Sequence, residues 1–218
     1  MQQAFVGSLG LGPGSLLDVG AGAGFFAAAA AHAGWRVTAL DPALSVAPHL
    51  EMSGVRLLRG TLAQLGPDER FDVITLWDVV EHLAEPAAAI EDLRRHLAPG
   101  GWLVVETGNY RCIDRVVEGT DHWIYQLDHR WYFSPATLAG FLRHQGFTRQ
   151  RLAPNAPRPD WLGPADYAGP SFRTLLRTLR RRPWRAVQLL LGYFRLRRVR
   201  LWPHARVHVF AIGAQLGG

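Results

Sequence analysis

Asp18 is followed by glycines at 20, 22 and 24, and a second acid, Asp41, stands seventeen residues beyond the last of them. A carboxylate closing an apolar run, followed by a loop that lacks Cβ atoms at alternate positions, suits binding through the backbone itself. Glycine permits dihedrals and close approach that a side chain forbids. The chemistry that fits is cofactor binding, and the spacing separates two kinds. A dinucleotide fingerprint needs G-x-G-x-x-G/A, whose last small residue lets helix and sheet pack around a pyrophosphate. Here the sixth position is Phe25, and the carboxylate of Asp18 would repel a pyrophosphate. A nicotinamide cofactor is therefore disfavoured, and a cationic ligand suits the loop better.

The elements that must position these groups alternate in the pattern of βαβ units. An apolar run from Ser15 enters the glycine loop, and the alanine-rich stretch FFAAAAAHAG reads as a helix stopped at Gly34. Strands are expected at 35–40, 55–60, 71–78 and 102–107, with a helix from Pro42 to Gly54 and an amphipathic helix over 86–97 stopped by Pro99-Gly100-Gly101. Ser134, Pro135 and Gly146 read as N-cap, first helical residue and stop of another helix. Strands at 147–153 and 205–214 bring the total to seven.

D-x-G-x-G-x-G after a first strand resembles motif I of the class I S-adenosylmethionine (SAM) methyltransferases. The resemblance implies an α/β, Rossmann-like fold: a seven-stranded, mostly parallel sheet with helices on both faces, spanning 1–218 as a single domain. It implies that Asp18, Gly20, Ala21, Gly22, Gly24 and Phe25 hold the cofactor from below. Asp41, with Pro42, would accept the ribose hydroxyls, although an acid before Pro42 also reads as an ordinary helix cap. Gly60-Thr61-Leu62 stands where many relatives place Gly-Asp-Ala beside the adenine, and it reads equally as a short helix cap. Trp77-Asp78-Val79-Val80-Glu81-His82-Leu83 resembles the segment after the fourth strand in ubiquinone-type O-methyltransferases and their bacterial relatives. That places Trp77, Asp78 and His82 at the cofactor.

On the acceptor side, HRWYFSP within 121–135 resembles the H-x-x-[FY]-F-[ST]-P segment of the same group, where a loop closes over the site. The loop expected to do this is 108–133, with Tyr110, Trp123, Tyr125, Trp131 and Tyr132 walling an apolar pocket. An alcohol or phenol acceptor needs a base, a task that suits an imidazole, and His129 is the candidate, with His122 as the second choice. Glu81 and His82 could also bind a divalent ion, as proposed for some quinone relatives. Two adjacent residues make an incomplete set for a hard cation, so no metal is expected.

The basic residues, all arginine, outnumber the acids and give a net charge of +6. The excess lies in the C-terminal part, for 171–218 contains eleven arginines and no acid. Apolar residues at helical spacing, Phe172, Leu175, Leu176 and Leu179, then Val187, Leu190, Leu191 and Phe194, predict a basic amphipathic pair broken by Pro183. This pair belongs to an insertion, 154–204, expected to form a lid before the last strand. Its arginines over 171–202 could meet an anionic membrane surface or an acidic carrier protein. They could equally form a solvated face.

A lone cysteine, Cys112, excludes an internal disulfide framework and a cysteine-based zinc site. No leader pattern or uninterrupted apolar span is apparent, so a cytoplasmic location, in part peripheral to a membrane, is expected. The resulting expectation is SAM-dependent methyl transfer to a small molecule, producing S-adenosylhomocysteine (SAH). Oxygen of an aromatic, polyketide-like, sugar or lipid-linked intermediate is the expected target. The alternatives are an RNA methyltransferase using the basic tail and a non-catalytic SAM-binding scaffold. An N-P-P-[YF] segment after the fourth strand is missing, so nucleic acid is not an expected partner.

Overall fold

The computed structural model of the chain describes residues 2–43, 53–112, 115, 119–153, 180, 183–184 and 209–217. The expected helix after Pro42 and the basic amphipathic pair of the 154–204 lid lie outside these residues, Arg180, Pro183 and Trp184 excepted, as does the start of the last expected strand.

Seven strands form one sheet: β1 Ser15–Val19, β2 Arg36–Asp41, β3 Arg56–Arg59, β4 Phe71–Trp77, β5 Leu97–Gly108, β6 Phe147–Ala153 and β7 Val209–Leu216. Their order is β3-β2-β1-β4-β5-β7-β6. The first five pair in parallel, whereas β7 enters antiparallel between β5 and β6. Order reverses between β1 and β4. In open parallel sheets the carboxyl ends of the strands at such a point flank a ligand crevice.

Side chains alternate across the central strands, so neighbouring residues serve opposite cores. Leu17, Ile74, Leu103 and Val105 pack on one face with Ile90, Leu93, Leu138 and Leu142. These come from α3 (Pro86–Arg95) and α4 (Pro135–His144). Leu16, Val73 and Val104 pack on the other with Val6, Ala27, Ala28 and Ala30. That layer is supplied by α1 (Gln2–Ser8) and α2 (Phe25–His32). The alanines of α2 leave little bulk, which lets the helix lie close to the sheet above the glycine loop.

The expected cap of α4 forms as a reciprocal pair. Ser134 Oγ accepts from Thr137 N at 3.3 Å, and Thr137 Oγ1 accepts from Ser134 N at 2.8 Å. One boundary differs from expectation. Pro99-Gly100-Gly101 does not separate α3 from the fifth strand but lies within β5, where Leu97 already pairs with Phe71 before the register shifts. A Cβ on Gly101 would meet the carbonyl oxygens of Ala98 and Phe71 at 2.9 and 3.1 Å, so the glycine permits a close backbone crossing there.

The hairpin of β6 and β7 opens at the carboxyl edge of the parallel strands. Gly108, the last residue of β5, pairs with Val209, and Ala153 pairs with Ala211.

Candidate active site

The glycine loop turns out of β1 with Gly20, Gly22 and Gly24 all at positive φ (70°, 54° and 76°). These are left-handed conformations that L side chains rarely adopt. Gly20 N donates to Leu40 O at 2.7 Å, which seats the loop against the end of β2. Gly22 has open space where a Cβ would project. At its other side Gly22 N donates to Asp41 Oδ2 at 2.9 Å, while Asp41 Oδ1 accepts from Ala43 N. Asp41 thus stands at the mouth of the crevice, capping the loop.

Asp18 is buried beneath this loop and accepts from Thr75 Oγ1 at 2.8 Å across the β1–β4 pair. Burial pushes its carboxyl up to about 7, against the pull of the Thr75 bond and with a smaller push from Asp41. Phe25 is exposed at the start of α2. Trp77 packs edge-on against Phe26, with ring centroids 4.9 Å apart.

A cavity of about 440 Å³ lies beside the loop, lined by Leu40, Pro42, Thr61, Leu62, Val79 and Leu83 among others. Its walls are almost wholly apolar, which suits the faces of a planar heterocycle. Thr61 caps the short turn Leu62–Gln64 through a reciprocal box with Gln64, and Gly60 and Thr61 also line the cavity. Thr61 thus both caps this turn and faces the cavity.

After β4 the chain passes through Asp78, whose φ of 53° is the one left-handed non-glycine among the described residues. Asp78 N donates to Glu106 O at 3.2 Å. Burial raises its carboxyl, and the neighbouring His129 and His82 pull it back. Glu81 and Glu106 are buried nearby, and burial, reinforced by Asp78, pushes each up to about 7. Gln2 of α1 donates to Glu106 at 3.2 Å. Both oxygens of Glu81 lack a properly formed hydrogen bond among the described residues, although Thr107 faces them. Three buried carboxyls, Asp18, Glu81 and Glu106, with Asp78 beside the last two, make a site that favours a cation.

The loop over this segment is tied down by its backbone. Arg130 N and Trp131 N both donate to Glu81 O, at 2.8 and 3.2 Å, and Trp131 Nε1 donates to Leu83 O at 2.8 Å. His129 Nδ1 lies 2.8 Å from Ile124 O, and His82 Nδ1 lies 3.2 Å from Asp128 O. A carbonyl only accepts, so each Nδ1 carries the proton and each neutral ring keeps its lone pair on Nε2. Donor atoms of Glu81, His82 and His129 converge within 4.8 Å of one another, so these three side chains could hold a divalent ion.

His122 has a different fate from His129. It is buried, its Nδ1 accepts from Ile124 N at 3.2 Å, and its Nε2 lies 3.6 Å from Cys112 Sγ. Nδ1 caps the turn Trp123–Tyr125 and Nε2 faces Cys112, so in this geometry His122 serves the packing of the loop. Trp123 packs over Gly108 and lies 6.2 Å from His129, ring to ring. Tyr110, Tyr125 and Tyr132 cluster beside them, with centroids 5.5 to 6.4 Å apart. Trp131 is half-exposed and serves the strap as much as any pocket.

Sequence reasoning missed Thr75, Glu106 and Arg115. Glu106 carried a usable signal, since it is an acid at the carboxyl end of an apolar strand, the same pattern that singles out Asp18.

A mostly parallel seven-stranded sheet with an acid–glycine loop at its switch point and an antiparallel seventh strand defines the class I methyltransferase fold. Residues 4–152 match the family described as "Methyltransferase domain". The chain belongs to that family. It is 32% identical over 158 residues to the ubiquinone biosynthesis O-methyltransferase of Paramagnetospirillum magneticum, covering 66% of this chain and 64% of that protein. The like-named protein of Azorhizobium caulinodans is 29% identical over 152 residues, covering 63% and 60%. The chain thus matches less than two thirds of the length of these relatives.

Among solved structures, a SAM-dependent methyltransferase from Archaeoglobus fulgidus superposes with a TM-score of 0.64 at 17% identity, covering 97% of this chain and 90% of that one. The 1,6-didemethyltoxoflavin-N1-methyltransferase of Burkholderia thailandensis, solved with its substrate and SAH, gives 0.62 at 19% identity, covering 99% and 76%. At this identity the likeness concerns the fold.

Proposed function

We propose that this chain binds SAM in the crevice between β1 and β4 and methylates a small-molecule acceptor at oxygen. The observation that carries the reading is the placing of His129. Its Nδ1 is fixed by Ile124 O, which leaves Nε2 for chemistry, and its ring belongs to a cluster with Glu81 and His82 beside Asp78.

SAM supplies an electrophilic methyl on a positively charged sulfur. The residues fit it in three respects: a glycine loop with open space at Gly22, an apolar cavity for a heterocycle, and buried acids that favour a cation. Asp18 and its loop hold the cation, and Asp41 would take the ribose hydroxyls in place of Gly22 N. His129 Nε2 accepts the proton that the acceptor hydroxyl gives up as its oxygen attacks. The strap from Glu81 to residues 130–131 keeps this base in register with the cofactor segment, so positioning contributes much of the rate. Tyr110, Trp123, Tyr125, Trp131 and Tyr132 wall the acceptor side.

Calorimetry with SAM and with SAH tests the first half, and binding of neither would sink it. Incubation with isotopically labelled SAM and small-molecule extracts, followed by mass spectrometry, tests the second. A second reading has a specific observation behind it: Glu81, His82 and His129 would hold a divalent ion, which would supply Lewis acidity toward the acceptor hydroxyl. It predicts loss of turnover with chelator and recovery with Mg²⁺ or Zn²⁺, whereas the base reading predicts indifference to chelator. The arginines of 171–202 are proposed to meet an anionic membrane surface or an acidic carrier protein. Co-sedimentation with anionic but not neutral vesicles would separate those two partners.

A further inference from the structure

The guanidinium of Arg115 lies over the ring of Tyr110, 4.1 Å from its centroid, and its Nη1 donates to Tyr125 Oη at 3.2 Å. Tyr132 completes the group, 5.6 Å from Tyr110 and 5.5 Å from Tyr125 between centroids. Among the described residues, the buried Arg115 Nε has no hydrogen-bond partner and no acid pairs with this guanidinium.

A guanidinium that is partly removed from water, stacked on a ring and left with an unspent donor has paid for desolvation with no anion among the described residues to offset it. One phenolic oxygen and one ring face compensate only in part. What remains is a planar fork of donors, with tyrosine hydroxyls beside it, the arrangement that recognises a carboxylate in two-point fashion.

The group also lies where an acceptor would. Tyr110 follows the end of β5, at the same sheet edge as Asp18 and Trp77, and its N donates to Phe133 O at 2.7 Å. Trp123, two residues before Tyr125, packs over Gly108 and lies 6.2 Å from His129, ring to ring. We infer that Arg115, framed by Tyr110, Tyr125 and Tyr132, is a carboxylate-binding residue that selects acceptors carrying an anionic group on an aromatic body. This rests on the methyl-transfer reading for the identity of the acceptor, while the anion site itself does not.

Benzoate and benzamide, which share shape and differ in charge, are the probes. Calorimetric titration of the full chain, with and without SAH, is expected to give benzoate at least about tenfold tighter binding, the range of a charge-assisted pair. Arg115→Gln should bring the two ligands to parity. Tyr125→Phe, which removes only the hydroxyl that anchors the guanidinium, should reduce the preference partway and guards against a misfolded Arg115 variant. Equal binding by the unaltered protein, or a preference that survives Arg115→Gln, overturns the inference. SAH binding measured in the same samples tests the parent reading separately: benzoate preference without SAH binding would leave the anion site standing and remove the methyltransferase.

Discussion

His82 and His129 meet edge to face, with ring centroids 4.7 Å apart, although they are 47 positions apart in the chain. Each spends its Nδ1 on a backbone carbonyl, which leaves Nε2 of each ring for other partners, and both rings gather with one buried carboxyl, Glu81. Fixing the tautomer through the other nitrogen is how proteins decide which face of an imidazole does chemistry.

Substitution of His129 by alanine should lower kcat by about 10²- to 10⁴-fold, the usual contribution of a positioned general base. SAH affinity should stay unchanged. His122→Ala should instead cost stability, about 1 to 3 kcal/mol for the buried bonds it makes, with kcat in the folded fraction preserved. Steady-state kinetics beside thermal melts check both, and a His129 variant within about threefold of the parent rate removes it from proton transfer.

Cofactor affinity should depend on pH through Asp18. A cation bound against this carboxyl favours its ionised form, and burial holds the acid at about 7. SAM affinity should therefore climb by up to about tenfold per pH unit below that value and level off above it. Asp18→Asn should bind weakly at every pH and lose this slope. Calorimetry between pH 5.5 and 8.5, a range set by the shifted value, would show it. A flat profile in the parent protein contradicts the charge pairing.

Stability without ligand should run the opposite way. Asp18, Glu81 and Glu106 titrate near 7 in the folded chain, against 3.8 for an ordinary aspartate and 4.5 for glutamate. Between roughly pH 4 and 7 the native state keeps protons that the unfolded chain has released. Unfolding free energy therefore falls as pH rises through that window, by about 1.4 kcal/mol per unit for each such group. Glu69 and Asp72, whose carboxyls are held low by Arg56 and Ser15, act in the acid range below it. Their stabilising effect is present above about pH 4 and lost as pH falls further. Denaturant titrations at pH 5.5 and 8 should find the ligand-free protein weaker at the higher pH. Equal stability at both would mean that the acids are not desolvated.

Two glycines of one loop should fail differently. A Cβ on Gly20 would lie 2.5 Å from Val79 Cγ2 at a φ of 70°, so Gly20→Ala combines overpacking with a left-handed penalty. It should cost about 2 to 4 kcal/mol. Val79→Ala in the same chain should return part of that loss. Gly22→Ala meets open space at a φ of 54° and should cost only about 1 to 2 kcal/mol, while projecting a methyl into the crevice and weakening SAM binding. Melting temperatures and calorimetry distinguish the two; identical behaviour would mean that Gly22 does not face the ligand.

The sheet was legible because its strands are short apolar runs punctuated by glycine and proline, and Ser134-Pro135 announced α4 through local chemistry alone. Pro99-Gly100-Gly101 misled, since the same residues that stop a helix also permit the crossing inside β5. The residues proposed for the cofactor side were readable wherever a strand delivers a residue to its own carboxyl end, as with Asp18, Asp41 and Asp78. His122 and His129 could not be separated by sequence, because the distinction lies in which nitrogen meets which carbonyl. Thr75 and Arg115 act through partners 57 and 10 positions away, and no local pattern announces such pairings.

The open end of the β6–β7 hairpin has an evolutionary meaning. Chain leaves β6 after Ala153 and returns at Val209, and both points border the edge where Gly108 ends β5. Residues 154–208 can therefore lengthen, shorten or be exchanged without shifting the pairing of any strand that carries Asp18, Asp41 or Asp78. The strands that carry these acids are in this sense insulated from evolutionary change in the connection, a core that tolerates a variable neighbour.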